Sequence, residues 1–128
     1  MDDAVRGILT GPRNAWLATL MADGSPQVTP VWIDVIDADV VLCTTADTVK
    51  AANMRRDPCV AIAIESAEDR YRVVTLRGRV VSMEEGGADA LVDALSWRHD
   101  GHAWEGPQEE GTEVLVRIRP DRITLLED

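Results

Sequence analysis

The chain has 128 residues and a mass of 14.0 kDa, room for one domain, residues 1–128, with a modest core. Hydrophobic residues at 45% and charged residues at 28% set disorder aside, and a net charge of −10 argues against a nucleic-acid partner, whose phosphates call for clustered basic side chains. No apolar run nears the roughly 20 residues that cross a bilayer and no export signal opens the chain, so a cytoplasmic protein without membrane attachment is expected.

Aromatic residues are only 4% and include no Phe, so Val, Ile, Leu and Ala must fill the interior, which favours strands. Residues 3–10 read as a short helix that Gly11-Pro12 ends. "AWLATLM" (15–21) is a first strand, and "ADGSP" (22–26) a hairpin turn in which Asp23-Gly24 suits positive φ. "QVTPVWIDVI" (27–36) is the second strand. Pro30 lies inside it without an N–H to give to a ladder, and so marks an edge, a bulge or a place where the backbone turns to something else. After a turn at residues 37–39, "VVLCTT" (40–45) is the third strand. From Asp47 the period of two is lost, and a helix runs to Arg55-Arg56 before Asp57-Pro58, with Asp47 as its N-cap.

"CVAIAIES" (59–66) is nearly all apolar, as a central strand or one covered on both faces would be. "YRVVTLRGRVVSME" (71–84) is a long strand with a bulge or bend at Gly78. Residues 85–97 form a helix with Ala88, Leu91, Val92 and Leu95 on one face, residues 98–113 a polar loop, and "VLVRIRPDRITLL" (114–126) the last strand. About six strands linked by hairpins, with two or three short helices outside, describe a mainly β, antiparallel barrel.

Lys50 is the only lysine in a chain with twelve arginines. It follows a strand that ends in Thr44-Thr45 and sits one turn into a helix, where hydroxyls, free N–H groups and a compact charge can meet an anion. The alternative is a solvated helix face. Arg55, Arg56 and Asp57 are expected to form a charge cluster that stabilises the helix end. Cys43 and Cys59, in apolar strand contexts, read as buried small hydrophobes. His99 and His102 lack the further ligands of a metal site and read as loop surface. Trp97 is expected on the apolar side of its helix, and Trp104 as a lid or a pocket wall. No nucleophile elbow or Ser-His-Asp set is present, which speaks against hydrolase chemistry.

Taken in order, "LATLMADGSPQVTPVWIDV", "TTADTVKAANMRRDPCVAI" and "LRGRVVSME" resemble the pyridoxamine 5′-phosphate oxidase-like superfamily, and within it the actinobacterial branch that uses coenzyme F420, an 8-hydroxy-5-deazaflavin. The resemblance implies a six-stranded split β-barrel and a homodimer with two cofactor sites at the subunit interface. It implies that Thr29, Pro30, Val31 and Trp32 lie beside the ring, that Thr44, Thr45, Lys50 and Asn53 face the phosphate tail, and that residues Arg77 to Arg79, with Arg79 as the candidate contact, lie near the neighbouring subunit's site. Ala46, Asp47 and Ala52 stand where relatives often carry basic or glycine residues. The ending "RITLLED" lacks the Arg-Leu-Ala-Pro of the oxidase proper.

The function implied is hydride transfer between the deazaflavin and a small unsaturated organic substrate, with no catalytic side chain required because the cofactor does the chemistry. The same fold binding FMN is the first alternative. A non-catalytic dimer that carries a cofactor, haem or tetrapyrrole is the second.

Overall fold

The computed structural model describes residues 1–105 and 112–127; residues 106–111, within the expected polar loop, lie outside the described residues. In chain order the elements are α1 (Asp3–Leu9), β1 (Ala15–Leu20), β2 (Pro26–Val31), β3 (Asp34–Ile36), β4 (Asp39–Thr45), α2 (Val49–Arg56), β5 (Cys59–Glu65), β6 (Arg72–Glu84), α3 (Ala88–Asp100) and β7 (Glu113–Glu127). The strands form one antiparallel sheet in the order β2-β1-β5-β6-β7-β4-β3.

The sheet has seven strands rather than six, and no ladder joins β2 to β3, so the barrel is split rather than closed. The extra strand comes from the run 27–36. β2 pairs with β1 and β3 pairs with β4, so the chain crosses from one edge of the sheet to the other through Trp32 and Ile33. Hydrophobic periodicity could not reveal this break. Val31 and Ile33 are both buried, so the period of two runs through it undisturbed. Pro30 does sit on an edge strand, where a missing N–H costs no interior ladder bond.

The inner face of the sheet carries the main core. Leu17, Leu42, Ile62, Val74, Val116 and Ile118 alternate inward along their strands and are 2% exposed or less, each contributing about 1.5–3 kcal/mol by leaving water. Val5, Ile8 and Leu9 of α1 and Met54 of α2 join that cluster. Asp2 caps α1, its Oδ1 accepting from the Val5 N–H at 2.8 Å. The Met21–Ser25 turn joins β1 to β2, with Gly24 at φ 87° where glycine meets no steric cost. Gly78 lies at a register shift between β6 and β7, and a Cβ there would run into the Arg119 carbonyl, so only glycine lets the strands approach this closely.

A second cluster lies on the outer face, where Leu91 and Leu95 of α3 pack on Val41, with Trp32, Cys43 and Leu115 around them. This helix starts at Ala88 after Gly87 and runs to Asp100, three residues later at each end than periodicity places it. Arg98, His99 and Asp100 are therefore helical rather than loop. Trp97 is 57% exposed, because it falls two residues past Leu95 and off the apolar stripe. Cys59 is also exposed: β5 turns Val60, Ile62 and Ile64 inward, which leaves Cys59, Ala61 and Ala63 on the outer side. Cys43 is half-buried, and burial pushes its thiol up to about 12, with Glu113 and Asp89 adding to the shift.

Asp39 is the buried charge of the fold, 7% exposed at the start of β4. Arg119 binds it through both Nε and a terminal nitrogen, at 3.3 and 3.2 Å, and Arg117 binds it at 3.1 Å. The hydrogen bond from Arg119 holds the Asp39 carboxyl below the usual carboxylate range, and burial opposes the shift.

Candidate functional site

Thr44 and Thr45 end β4 one residue before the Ala46–Asp47 turn, and α2 starts at Val49. The N-cap is Thr48, not Asp47: its Oγ1 accepts from the Ala51 N–H at 3.2 Å and donates to the Thr45 carbonyl at 2.9 Å. The cap is thus a neutral hydroxyl rather than a carboxylate. The Thr44 hydroxyl lies 3.0 Å from that of Thr48, and Thr45 donates to Glu113 Oε1 at 3.2 Å; both threonine side chains are buried. Lys50 is half-buried in the first turn of α2.

Asn53 does not face outward. At 2% exposure it donates from Nδ2 to Thr19 Oγ1 at 3.0 Å and to Met21 Sδ at 3.3 Å, and it accepts from Arg56 at 2.8 Å. Its polar atoms tie α2 to β1 within the chain. Arg55 and Arg56 do not pair with Asp57 but donate to the carbonyls of Ala46 and Leu20, at 2.8 and 2.7 Å. Asp57 instead accepts from the Cys59 N–H.

Thr29, Pro30 and Val31 complete β2. Because β2 is an edge strand, one row of its main-chain groups has no strand neighbour and can meet a ligand. Thr29 is half-buried, Pro30 exposed, and Val31 part of the core. Trp32 leaves the ladder and is held in an aromatic stack. The His99 ring lies parallel to it at 4.5 Å and Trp104 meets it edge-on at 6.1 Å. His99 Nε2 is shut off from solvent without a hydrogen bond to any described residue, and burial, then the Arg98 charge, lower its pKa, so the ring is neutral at pH 7.

Arg98 fixes the crossing segment from the other side, 3.1 Å from Asp34 Oδ1. The segment after α3 folds back: the Trp104 N–H donates to Asp93 at 3.1 Å and Ser96 Oγ to the His102 carbonyl at 2.8 Å. His99 was legible as a half-buried position, four residues past Leu95 on the same face, once the helix is carried to Asp100.

Trp32 and Cys43 share the outer cluster, and Thr44 follows Cys43, so the fold ties the end of β2 to the end of β4. Arg79 lies elsewhere, exposed on β6 and 3.2 Å from Asp121. The outer face of β1, β5 and β6 carries a shallow groove of about 400 Å³ floored by Trp16, Ala18, Ala61 and Ala63. Among the described residues no group of three His, Cys, Asp or Glu side chains could hold a metal ion, and no helix is long and apolar enough to cross a membrane.

The pyridoxamine 5′-phosphate oxidase family model matches residues 1–127. Among solved structures, an F420 reductase is 26% identical with a TM-score of 0.85, over 97% of this chain and 98% of that one. A conserved hypothetical protein of Mycobacterium tuberculosis is 29% identical with a TM-score of 0.78, over 99% and 85%. A FAD-binding protein of Mesorhizobium loti, 21% identical with a TM-score of 0.71 over 98% and 94%, shares the fold. No curated protein matches the sequence significantly.

Proposed function

The chain belongs to the pyridoxamine 5′-phosphate oxidase family, and from that premise we propose that it is an oxidoreductase using a flavin-type cofactor, with coenzyme F420 as that cofactor and a small unsaturated organic molecule as hydride acceptor. The observation that carries the reading is the likeness to an F420 reductase across nearly the whole of both chains. Bound there, the cofactor supplies hydride chemistry at its ring.

The residues present fit such a group. Lys50 supplies a compact positive charge to the phosphate, with Thr44 and Thr45 shaping the turn beside it. The unpaired edge of β2 at Thr29, Pro30 and Val31 offers main-chain groups to the polar rim of the ring, and Trp32, fixed by His99, sets where that edge ends. A homodimer with sites at its interface belongs to the same proposal, with Arg79 near the partner's site. The uncovered apolar strip of Trp16, Val28, Ala61 and Ala63 supports it, because a face of this kind marks an interaction surface.

Parallel fluorescence titrations with coenzyme F420 and with FMN test the reading. Tight F420 binding that weakens by about 1.5–3 kcal/mol in Lys50→Ala is the expected outcome, as for a lost charge-assisted bond. Preference for FMN would move the protein to flavin chemistry; binding of neither would leave a carrier of another ligand.

A further inference from the structure

Between Val31 and Asp34 the chain changes sheet edge without a ladder, so side chains must hold the crossing. Ile33 anchors it in the main core. On the other side it is held by the end of α3 and the segment that follows. Arg98 reaches Asp34 Oδ1 at 3.1 Å, the His99 ring lies on Trp32 with centroids 4.5 Å apart and planes 5° from parallel, and Trp104 meets Trp32 edge-on. The segment that carries Trp104 is tied back to α3 through Asp93 and Ser96, so both rings that hold Trp32 belong to one helical unit.

His99 is the member of this clasp that can change charge near neutral pH. Its Nε2 is shut off from solvent and bonds to no described residue. In a protonated ring both nitrogens donate, so the N–H there has neither water nor an acceptor. The indole face attracts an imidazolium, but that attraction is smaller than the loss of every partner at one charged N–H with the Arg98 guanidinium next in the chain. The charged and titratable groups around the stack are Arg98 and Asp100 on α3, His102 and Glu105 in the segment after it, Asp34 on the crossing, Asp39 and Cys43 on β4, and Glu113 and Arg117 on β7. Burial first and then Arg98 disfavour the proton on His99, and Asp100 favours it more weakly. Asp34 is engaged by Arg98, and Asp39 by Arg117 and Arg119.

We infer that His99 is a positioning residue acting through Trp32: as a neutral ring it clamps the crossing and with it the end of the β2 edge, and when it takes a proton the stack opens and that edge loosens. Because the folded state disfavours the proton, the unfolded chain takes it up first; the clasp is fully held above the ordinary histidine value of 6.5 and loses its hold as pH falls below it. Weaker cofactor binding in acid is the consequence, and it rests on the proposed function, whereas the proton-sensitive stack does not.

The chain has only two histidines, so nuclear magnetic resonance of the ring carbons follows each of them as pH is lowered from about 8 to about 5. His99 should titrate below His102, and the Trp32 indole signal should move in step with His99 in the wild type and in His102→Gln alike. In His99→Phe, which keeps a stacking ring without a proton site, the indole signal should stay fixed. Coenzyme F420 and FMN are titrated against the same proteins at pH about 7.5 and about 5.5, where His99→Phe should match the wild type at the higher pH and bind about tenfold more tightly than it at the lower. The ligands' own titration is common to both proteins and cancels in that comparison. His99→Ala, which removes the stack, should bind more weakly at both pH values. A His99 that titrates above His102, an indole signal that follows His102, or the same pH dependence of affinity in the wild type and His99→Phe would each overturn the inference. An indole signal that follows His99 in a protein binding neither F420 nor FMN would keep the proton-sensitive stack and overturn the proposed function together with the positioning role built on it.

Discussion

Across β4 and the first half of β7 the outer face of the sheet lies under α3, and Val41, Leu91 and Leu95 are all less than a tenth exposed. Across β2, β1 and β5 the same face is bare, and Trp16 and Val28 are 50% and 58% exposed. One sheet with one inner core thus has two outer halves, one finished by its own helix and one left open. The covered half holds Trp32 and the end of β4 in place; the open half offers the groove, the facing Arg77 and Arg122 and the edge strand β2.

The largest effect should come from the core that both halves share. Leu42→Ala, at a residue 0% exposed, should cost about 4 kcal/mol, read as a lower urea midpoint with unchanged slope. Leu95→Ala should cost less, about 3 kcal/mol, and should also loosen the stack on Trp32, which near-ultraviolet circular dichroism reports. Asp39→Asn should cost about 2 kcal/mol by breaking its charge-assisted bonds. Because the folded state lowers the Asp39 pKa, its contribution is fully present above the unfolded value near 3.9 and is lost as pH falls through the folded one. Wild-type stability should therefore drop below about pH 4 more steeply than that of the Asn variant. Trp16→Ser, on the bare half, should change stability by less than about 0.5 kcal/mol while weakening ligand binding or self-association. A large loss of stability there, in a monomeric sample, would erase the distinction between the halves.

Much of this was legible in the sequence. The nearly all-apolar run of residues 59–66 read as a strand either central or covered on both faces, and β5 is an interior strand of the sheet; Pro30 marked an edge, and Gly78 marked the irregularity in β6. The crossing at Trp32 was hidden, because Val31 and Ile33 keep the strand period while the ladder changes partner. Asp47 was read as a cap because carboxylates are good caps, but Thr48, one residue on, meets the same need. For the candidate site, the Thr44–Lys50 turn could be found from residue types alone. The inward turn of Asn53 could not, since it depends on Thr19 and Met21 more than thirty residues earlier in the chain. Nor could the facing of Arg77 and Arg122, which only the register of β6 on β7 reveals.

The most direct test of where the chemistry lies is backbone hydrogen exchange with and without saturating cofactor. Slower exchange at residues 28–32 and 44–50, with α3 from residue 88 to 95 unchanged, is the result expected of a site built on the open half and the β4–α2 turn. Protection confined to α3, or none anywhere despite measured binding, would contradict it.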